Sequence, residues 1–209
     1  MNEPAYPAPH LLDGPRWAGL RVGLLGGSFN PPHAGHLHAS LTALRMLRLD
    51  FIWWLVTPQN PFKVADETPP LAERVALCRN FTPHPQILVS DLEKDINATR
   101  SIDTLLALRK FFPQTDFVWI TGMDIAHEFH RWHRWHDILK QIPTVHIARP
   151  PFQSLVQDCP LRLTGGTQNH QVLSRAAKAS LQPGNSYWIL DAKLVKTSST
   201  EIRNNVINQ

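Results

Sequence analysis

Short apolar runs that do not alternate with polar residues are the feature that most constrains the fold of this chain. Six runs have the length of a β-strand, at residues 20–25, 51–56, 87–89, 117–120, 145–148 and 187–190. A strand that is apolar on both sides belongs in a sheet that is covered on both faces, and sheets of this kind are usually parallel. The runs therefore predict a buried parallel sheet of five to six strands.

Segments with the apolar spacing of an α-helix lie between these runs. Helices are predicted at residues 34–49, 71–81 and 101–111, near residues 172–181, and at a short segment that opens at Ser198. Strands that alternate with helices indicate parallel pairing with right-handed crossovers. The predicted fold class is therefore α/β, a Rossmann-like doubly wound parallel sheet with flanking helices.

Composition limits the function classes. The net charge of +4 is small and no Lys/Arg run occurs, so a nucleic-acid partner is not expected. No apolar stretch approaches the length of a membrane span, and the N-terminus has no signal-peptide pattern. Cys78 and Cys159 follow no disulfide or metal-binding pattern, which favours reduced thiols in a cytoplasmic protein.

The chain of 209 residues has the length of one large domain. Residues 1–19 are rich in proline and lack periodicity, so we expect a flexible N-terminal arm that Trp17 could anchor. Residues 20–209 are expected to form a single domain. Residues 152–184 match no pattern with a function, and the sequence leaves the oligomeric state open.

The loop after the first predicted strand has the composition of a phosphate site. Gly26 and Gly27 let the backbone approach a ligand closely, and His33 and His36 stand at the start of the next helix. Helix N-termini favour phosphate through free N–H groups and the helix dipole. The loop has neither the Walker A pattern nor the GxGxxG pattern. By itself, a run as short as HxGH also occurs by chance.

Other polar clusters follow other predicted strands, and ligands of such sheets bind at the carboxyl ends of the strands. These clusters lie at residues 57–63, at residues 121–124, at Arg149 and at residues 198–203. They are expected to lie at one edge of the sheet with the histidine loop, and together to form a larger pocket.

Residues 26–36 resemble the GxFxPxHxGH signature of the HxGH nucleotidyltransferases, and in particular the bacterial nicotinate-nucleotide adenylyltransferases. The resemblance extends along the chain through TPQNPFK at residues 57–63, ITGMD at 120–124, Trp132, ARP at 148–150 and SSTEIR at 198–203. Ser28 and Asn30 depart from the Thr and Asp that are common in the family.

The resemblance implies adenylyl transfer from ATP to nicotinate mononucleotide, which yields deamido-NAD and pyrophosphate in NAD biosynthesis, with Mg²⁺ entering with ATP. The implied catalytic residues are His33, His36, Lys63 and Arg203. The implied ATP-binding residues are Gly26, Gly27, Ser28, Phe29, His33, His36, Arg149, Ser198, Ser199, Thr200 and Arg203. The implied substrate-binding residues are Asn30, Lys63, Thr121, Asp124 and Trp132.

The sequence leaves several alternatives open. Asp124 could instead cap the next helix, Trp132 could pack in the core, and Arg149 could form a surface ion pair. The acceptor could be nicotinamide mononucleotide, phosphopantetheine or an FMN precursor. The chain could also be a non-catalytic nucleotide-binding module. A fragment of an aminoacyl-tRNA synthetase is disfavoured because no KMSKS-like loop is present.

A row of histidines at positions 127, 130, 133 and 136 raises the question of a metal site. On one helix, steps of three residues drift by about 60° each, so only neighbouring pairs could converge. A zinc site needs three or four converging ligands. No protein-bound metal is predicted.

Overall fold

The computed structural model describes residues 7–58, 68–148, 159–163, 169–173 and 181–190. Within these ranges one seven-stranded sheet has the order β3-β2-β1-β4-β5-β7-β6. All the neighbouring strand pairs in this sheet are parallel. The strands are β1 (Arg21–Gly27), β2 (Phe51–Val56), β3 (Ile87–Ser90), β4 (Asp116–Gly122), β5 (Thr144–Ile147), β6 (Asn169–Val172) and β7 (Asn185–Ile189). The predicted α/β fold class is confirmed.

The sheet has seven strands, one more than the upper value of the predicted five to six. The missing strand is β6, whose sequence is Asn-His-Gln-Val. It lies at the edge of the sheet and pairs only with β7 among the described strands. A polar edge strand of four residues lacks the continuous apolar run by which the other strands are recognised, because an edge strand is not covered as completely as a central one.

The helices of the described ranges are α1 (Ala34–Leu47), α2 (Leu71–Phe81), α3 (Ser101–Phe111), α4 (Met123–Glu128), α5 (Trp135–Gln141) and α6 (Pro160–Leu163). Both bounds of α2 and α3 agree with the prediction. Helix α1 ends two residues early because Arg48 adopts the left-handed conformation, with φ of 50°. None of these helices is long and apolar enough to cross a membrane.

The helix predicted near residues 172–181 is wrong at its start, because Val172 is the last residue of β6. Residues 174–180 lie outside the described ranges, and so does the helix predicted to open at Ser198.

Apolar residues cover both faces of the sheet, as the apolar strands predicted. Trp53 and Trp54 are neighbours in β2 and both are fully buried, in two different clusters. The Trp53 cluster includes residues of α3, α4 and α5, and the Trp54 cluster includes residues of α1 and α2. Consecutive side chains of a strand point to opposite faces, so one strand contributes to both layers.

Part of the predicted N-terminal arm packs on the Trp53 side of the sheet. Trp17 ends a short 3₁₀ helix and is fully buried, with its ring edge-on to that of Trp53 at 4.8 Å between centroids. The Thr115 hydroxyl donates a hydrogen bond of 2.9 Å to the Trp17 carbonyl. Trp17 therefore anchors this segment, while the boundary between arm and domain stays a prediction.

The order of the strands reverses between β1 and β4. The chain runs from β1 outward through β2 to β3, and then returns to place β4 on the other side of β1. The loops that leave β1 and β4 therefore diverge to opposite sides and leave a crevice at the carboxyl ends of these strands. Open α/β sheets bind their ligands at this point.

Candidate active site

A cavity of about 1010 Å³ occupies the crevice. Its walls come from segments that follow four strands, β1 to β4, and from the N-terminal turns of α1 and α3. Its polar lining includes Ser28, His33, His36, Thr57, Glu93, Thr99, Arg100, Ser101, Thr121, Asp124, Arg131 and Trp132. Thr57, Thr121 and Asp124, from two of the clusters predicted at strand ends, thus share one cavity with the histidine loop, while Arg149 and residues 198–203 lie outside the described ranges.

His33 and His36 bind each other's backbone at the start of α1. His33 is the N-cap residue, and its Nδ1 accepts a hydrogen bond of 3.0 Å from the Gly35 N–H. His36 Nδ1 accepts a bond of 3.2 Å from the His33 N–H. This is a capping box in which imidazoles take the places of the usual hydroxyl and carboxylate side chains.

The capping box decides which ring nitrogen carries the proton. A neutral imidazole has one acceptor nitrogen and one N–H donor. Because Nδ1 of both rings accepts a backbone hydrogen bond, the proton of each ring is on Nε2. Both rings line the cavity, and their centroids are 3.8 Å apart. The start of α1 thus presents two side-chain donors beside the helix N-terminus, an arrangement suited to a phosphate that gains charge.

The aromatic rings of Phe29 and Trp54 pack beside His36 and restrict its position. Phe29 is buried with φ of 46°, and its ring stacks on Trp54 at 4.9 Å and contacts the His36 ring at 4.6 Å. Trp54 Nε1 donates to Ser40 Oγ, and Ser40 Oγ donates to the His36 carbonyl. These contacts restrict both the ring and the backbone of His36. Phe29, predicted to bind ATP, also lines the cavity.

Arg74 joins the loops that follow β1 and β2. It is a buried residue of α2, 1% exposed, and its guanidinium donates to the carbonyls of Ser28, Thr57 and Pro58 at 2.8–2.9 Å. A fourth bond of 2.9 Å reaches the Pro69 carbonyl. Arg74 was not predicted from the sequence. The available signal is its position on the buried face of α2, four residues before Cys78.

Glu93 is a second cavity residue that was not predicted from the sequence. It follows β3, is 5% exposed, lines the cavity and accepts a hydrogen bond of 2.7 Å from Thr104 Oγ1 in α3. Burial raises the pKa of Glu93 to about 7, and the Thr104 bond opposes this shift only in part. Its position after a strand end, like that of Asp124, is the signal that could have found it.

The predicted substrate residues Thr121, Asp124 and Trp132 all line the cavity. The N-cap of α4 is Gly122, so Asp124 lies in the first turn and the alternative that it caps the helix is wrong. Trp132 is half-buried and stacks on Phe129 at 4.8 Å. Trp132 is thus packed on one side and also lines the cavity.

Only some of the remaining predicted residues line the cavity. Gly26, Gly27 and Ser28 line the cavity. Asn30 is 9% exposed and is not among the lining residues. Six other predicted residues lie outside the described ranges: Lys63, Arg149, Ser198, Ser199, Thr200 and Arg203.

The four histidines do not share one helix, contrary to the geometry assumed from the sequence. His127 is in α4, His130 is in a 3₁₀ turn, His133 follows that turn, and His136 is in α5. His133 lines the cavity. Within the described ranges, no group of three or more His, Cys, Asp and Glu side chains is arranged to hold a metal ion.

The strand order and the paired histidines at the first helix define a nucleotidyltransferase. The family model described as cytidylyltransferase-like matches residues 24–205, and the chain belongs to this family. A probable nicotinate-nucleotide adenylyltransferase of Ruegeria sp. (strain TM1040) is 38% identical over 190 residues, which cover 88% of this chain and 96% of the relative. One from Parvibaculum lavamentivorans is 39% identical over 188 residues, which cover 88% and 92%. The chain is therefore a member of the nicotinate-nucleotide adenylyltransferases.

A solved structure has a similar fold at low sequence identity. The Plasmodium falciparum nicotinic acid mononucleotide adenylyltransferase complexed with NaAD superposes with a TM-score of 0.66. The match covers 88% of this chain and 83% of the other, with 18% identity. This likeness concerns the fold.

Proposed function

We propose that this protein transfers the adenylyl group of ATP to nicotinate mononucleotide and releases pyrophosphate and deamido-NAD, a step of NAD biosynthesis. The observation that carries the proposal is the reciprocal capping of His33 and His36, which places two Nε2–H donors at the helix N-terminus that lines the cavity. The relatives named as nicotinate-nucleotide adenylyltransferases support the choice of acceptor.

The reaction forms a bond between a phosphate oxygen of nicotinate mononucleotide and the α-phosphorus of ATP. The bond from the α-phosphorus to the bridging oxygen breaks, and pyrophosphate leaves with the electron pair. The attacking phosphate is already an anion near neutral pH, so positioning and charge stabilisation carry the rate. His33 and His36 donate to the α-phosphate and the bridging oxygen, and Ser28 and the N–H groups of the loop hold the neighbouring phosphates.

Residues outside the described ranges complete the proposed ATP site. Lys63 and Arg203 neutralise the leaving pyrophosphate, and Arg149 and the hydroxyls of residues 198–200 bind the nucleotide. Mg²⁺ would enter as the metal–ATP complex and would neutralise phosphate charge. We propose that phosphate oxygens and water supply most of its ligands.

The pyridine ring of the acceptor is proposed to stack on Trp132, whose other face is covered by Phe129. The first turn of α3 lines the same cavity at Arg100 and Ser101. Free N–H groups of this turn, together with the Arg100 side chain, favour a carboxylate over a neutral amide. Asp124 is proposed to accept a hydrogen bond from a ribose hydroxyl.

The test of the reaction is pyrophosphate release from ATP and Mg²⁺ with nicotinate mononucleotide, nicotinamide mononucleotide or phosphopantetheine as the acceptor. We expect kcat/KM to be highest with nicotinate mononucleotide. No release with this acceptor would refute the choice of substrate. ATP binding by calorimetry without turnover on any acceptor would instead identify a non-catalytic nucleotide-binding module.

The test of the mechanism is the substitution His36→Ala. Turnover is expected to fall on the order of 100-fold or more, as for the loss of one transition-state donor, while ATP still binds. His84→Ala is the matched control, because His84 Nδ1 likewise accepts a hydrogen bond from a backbone N–H, that of Gln86, but His84 does not line the cavity. Near-normal turnover of His36→Ala would rule out the assigned role.

A cytoplasmic location is also proposed. Cys78 and Cys159 are buried free thiols, which is typical of a reducing compartment. Nucleic acids and membranes are not proposed as partners, because the net charge is small and the chain has no membrane-span pattern.

A further inference from the structure

A polar pair lies within the apolar layer behind the cavity. Thr121 of β4 and His146 of β5 are register partners, and Thr121 Oγ1 lies 2.7 Å from His146 Nδ1. His146 is fully buried, and its ring lies against that of Trp188 at 4.5 Å and edge-on to that of Phe129. Thr121 also lines the cavity, so the pair connects the core with the site.

Burial keeps the His146 ring neutral. It lowers the pKa of His146 to about 3, with a smaller contribution from nearby His170. A neutral ring carries one proton, either on Nδ1 or on Nε2. In the first case Nδ1 donates to Thr121 Oγ1, and in the second case the Thr121 hydroxyl donates to Nδ1.

The surroundings of Nε2 distinguish these two cases. His146 Nε2 is buried and has no hydrogen-bond partner among the described residues. A proton on Nε2 would leave a buried N–H donor unsatisfied, whereas a proton on Nδ1 leaves Nε2 as an unsatisfied acceptor. In protein backbones, buried N–H groups without a partner are rarer than under-satisfied acceptors, and we apply the same order to the imidazole. The proton is therefore favoured on Nδ1.

We propose that His146 donates its Nδ1–H to Thr121 Oγ1 and thereby directs the Thr121 hydroxyl proton toward an acceptor oxygen at the pyridine end of the bound nucleotide. The bond from Nδ1 occupies a lone pair of Oγ1, so Thr121 uses its own proton on another partner. Within the described ranges, the Thr121 hydroxyl has its hydrogen bond with His146 and no other. His146 is thus a positioning residue and touches no substrate itself.

The pyridine end is favoured because of shared contacts. Phe129 contacts the His146 ring at 6.1 Å and stacks on Trp132 at 4.8 Å, which places the pair on the Trp132 side of the cavity. A ring carboxylate offers two charged acceptor oxygens, whereas an amide offers one neutral oxygen and an NH₂ group that cannot accept. A fixed donor therefore favours the acid. This inference rests on the proposed function for the identity of the ligand.

The direct test is the tautomer of His146 in the unsubstituted protein. Two-dimensional ¹H–¹⁵N spectra, recorded through the couplings between ring protons and ring nitrogens, distinguish a protonated from an unprotonated ring nitrogen. The signal of His146 is assigned by its loss in His146→Asn. We expect a protonated Nδ1 and an unprotonated Nε2. A protonated Nε2 would overturn the proposal. This measurement needs no substrate, so its outcome is independent of whether the proposed reaction occurs.

The kinetic test compares His146→Leu, His146→Asn and Thr121→Val. We expect His146→Leu and Thr121→Val each to raise KM for nicotinate mononucleotide about tenfold, the effect of one hydrogen bond to a charged acceptor, with kcat and KM for ATP little changed. The asparagine amide can donate in place of Nδ1, so His146→Asn should restore most of the affinity.

A double-mutant cycle separates this role from a structural one. If His146 acts through Thr121, the variant with both His146→Leu and Thr121→Val has the same KM as Thr121→Val alone. Additive losses, or a fall in kcat with no change in KM for nicotinate mononucleotide, would contradict the proposal. If the unsubstituted protein does not turn over nicotinate mononucleotide, the proposed function fails and the tautomer result still stands.

Discussion

Replacement of Arg74 tests how strongly the two loops beside the histidines depend on one buried side chain. Its guanidinium donates four hydrogen bonds to carbonyl oxygens of the loops after β1 and β2 and of the segment before α2. Within the described ranges no carboxylate pairs with it. Hydrogen bonds to these carbonyls therefore compensate for the burial of the guanidinium charge.

The magnitude follows from these bonds. A hydrogen bond to a charged group contributes about 1.5–3 kcal/mol, but four bonds from one group are not additive, and removal of the charge also removes its burial cost. For Arg74→Met we expect a loss of about 3–5 kcal/mol in the free energy of unfolding. For Arg74→Lys we expect about 2–3 kcal/mol, because one ammonium cannot reach carbonyls that surround a planar fork.

Urea unfolding followed by tryptophan fluorescence measures the stability. With a slope of about 2 kcal/mol/M, the midpoint of Arg74→Met should fall by about 1.5–2.5 M. KM for ATP should rise about tenfold, because the Ser28 and Thr57 loops line the cavity, and a misplaced group costs affinity or rate. Arg79→Lys is the control, since Arg79 is an exposed residue of the same helix.

A loss below about 1 kcal/mol in Arg74→Met, with KM for ATP unchanged, would refute this reasoning, because it would mean that water replaces the guanidinium at no cost.

Three further predictions concern single side chains. The pKa of Glu93 is raised to about 7 from 4.5, so its contribution to stability is present below pH 4.5 and is lost as the pH rises through 7. Glu93→Gln is the reference, because its amide oxygen can still accept the hydrogen bond from Thr104. Between pH 4.5 and a pH above 7, the free energy of unfolding of the unsubstituted protein, measured in urea titrations, should fall by about 3 kcal/mol relative to this variant. Equal pH profiles of the two proteins would contradict this. Trp132→Ala should raise KM for nicotinate mononucleotide about tenfold and Trp132→Phe much less, because phenylalanine keeps a stacking surface; an unchanged KM in the alanine variant would argue against stacking. Burial raises the pKa of Cys78 to about 12 and also raises that of Cys159, so neither thiol should react with a disulfide reagent before unfolding, and a rapid reaction in the native protein would contradict this.

The sequence predicts the central strands and helices well because their signals are local. Helices α2 and α3 agree in both bounds, since apolar spacing and turn residues act within a few positions. Strand β6 was not predicted, because it carries no apolar run of its own. This edge strand is held in place by pairing with its neighbour β7, which is not a local signal.

The arrangement of the paired histidines was predicted only in part. Their spacing places both at one helix start, and the structure adds that each Nδ1 accepts a backbone bond. Arg74, Glu93 and His146 were not predicted. Arg74 meets Ser28 across 46 positions, and His146 meets Thr121 across 25 positions.

From the sequence alone, the histidine loop already predicted a phosphate site, because a strand end, two glycines and a helix start are neighbours in the chain. The tertiary structure decided which distant side chains hold that loop and line the cavity with it. Strand order brings β1 beside β4 and β4 beside β5, and no local pattern encodes that order. The pair of Thr121 with His146 depends on the pairing of β4 with β5, and Arg74 reaches the loops after β1 and β2 because these two strands are neighbours in the sheet.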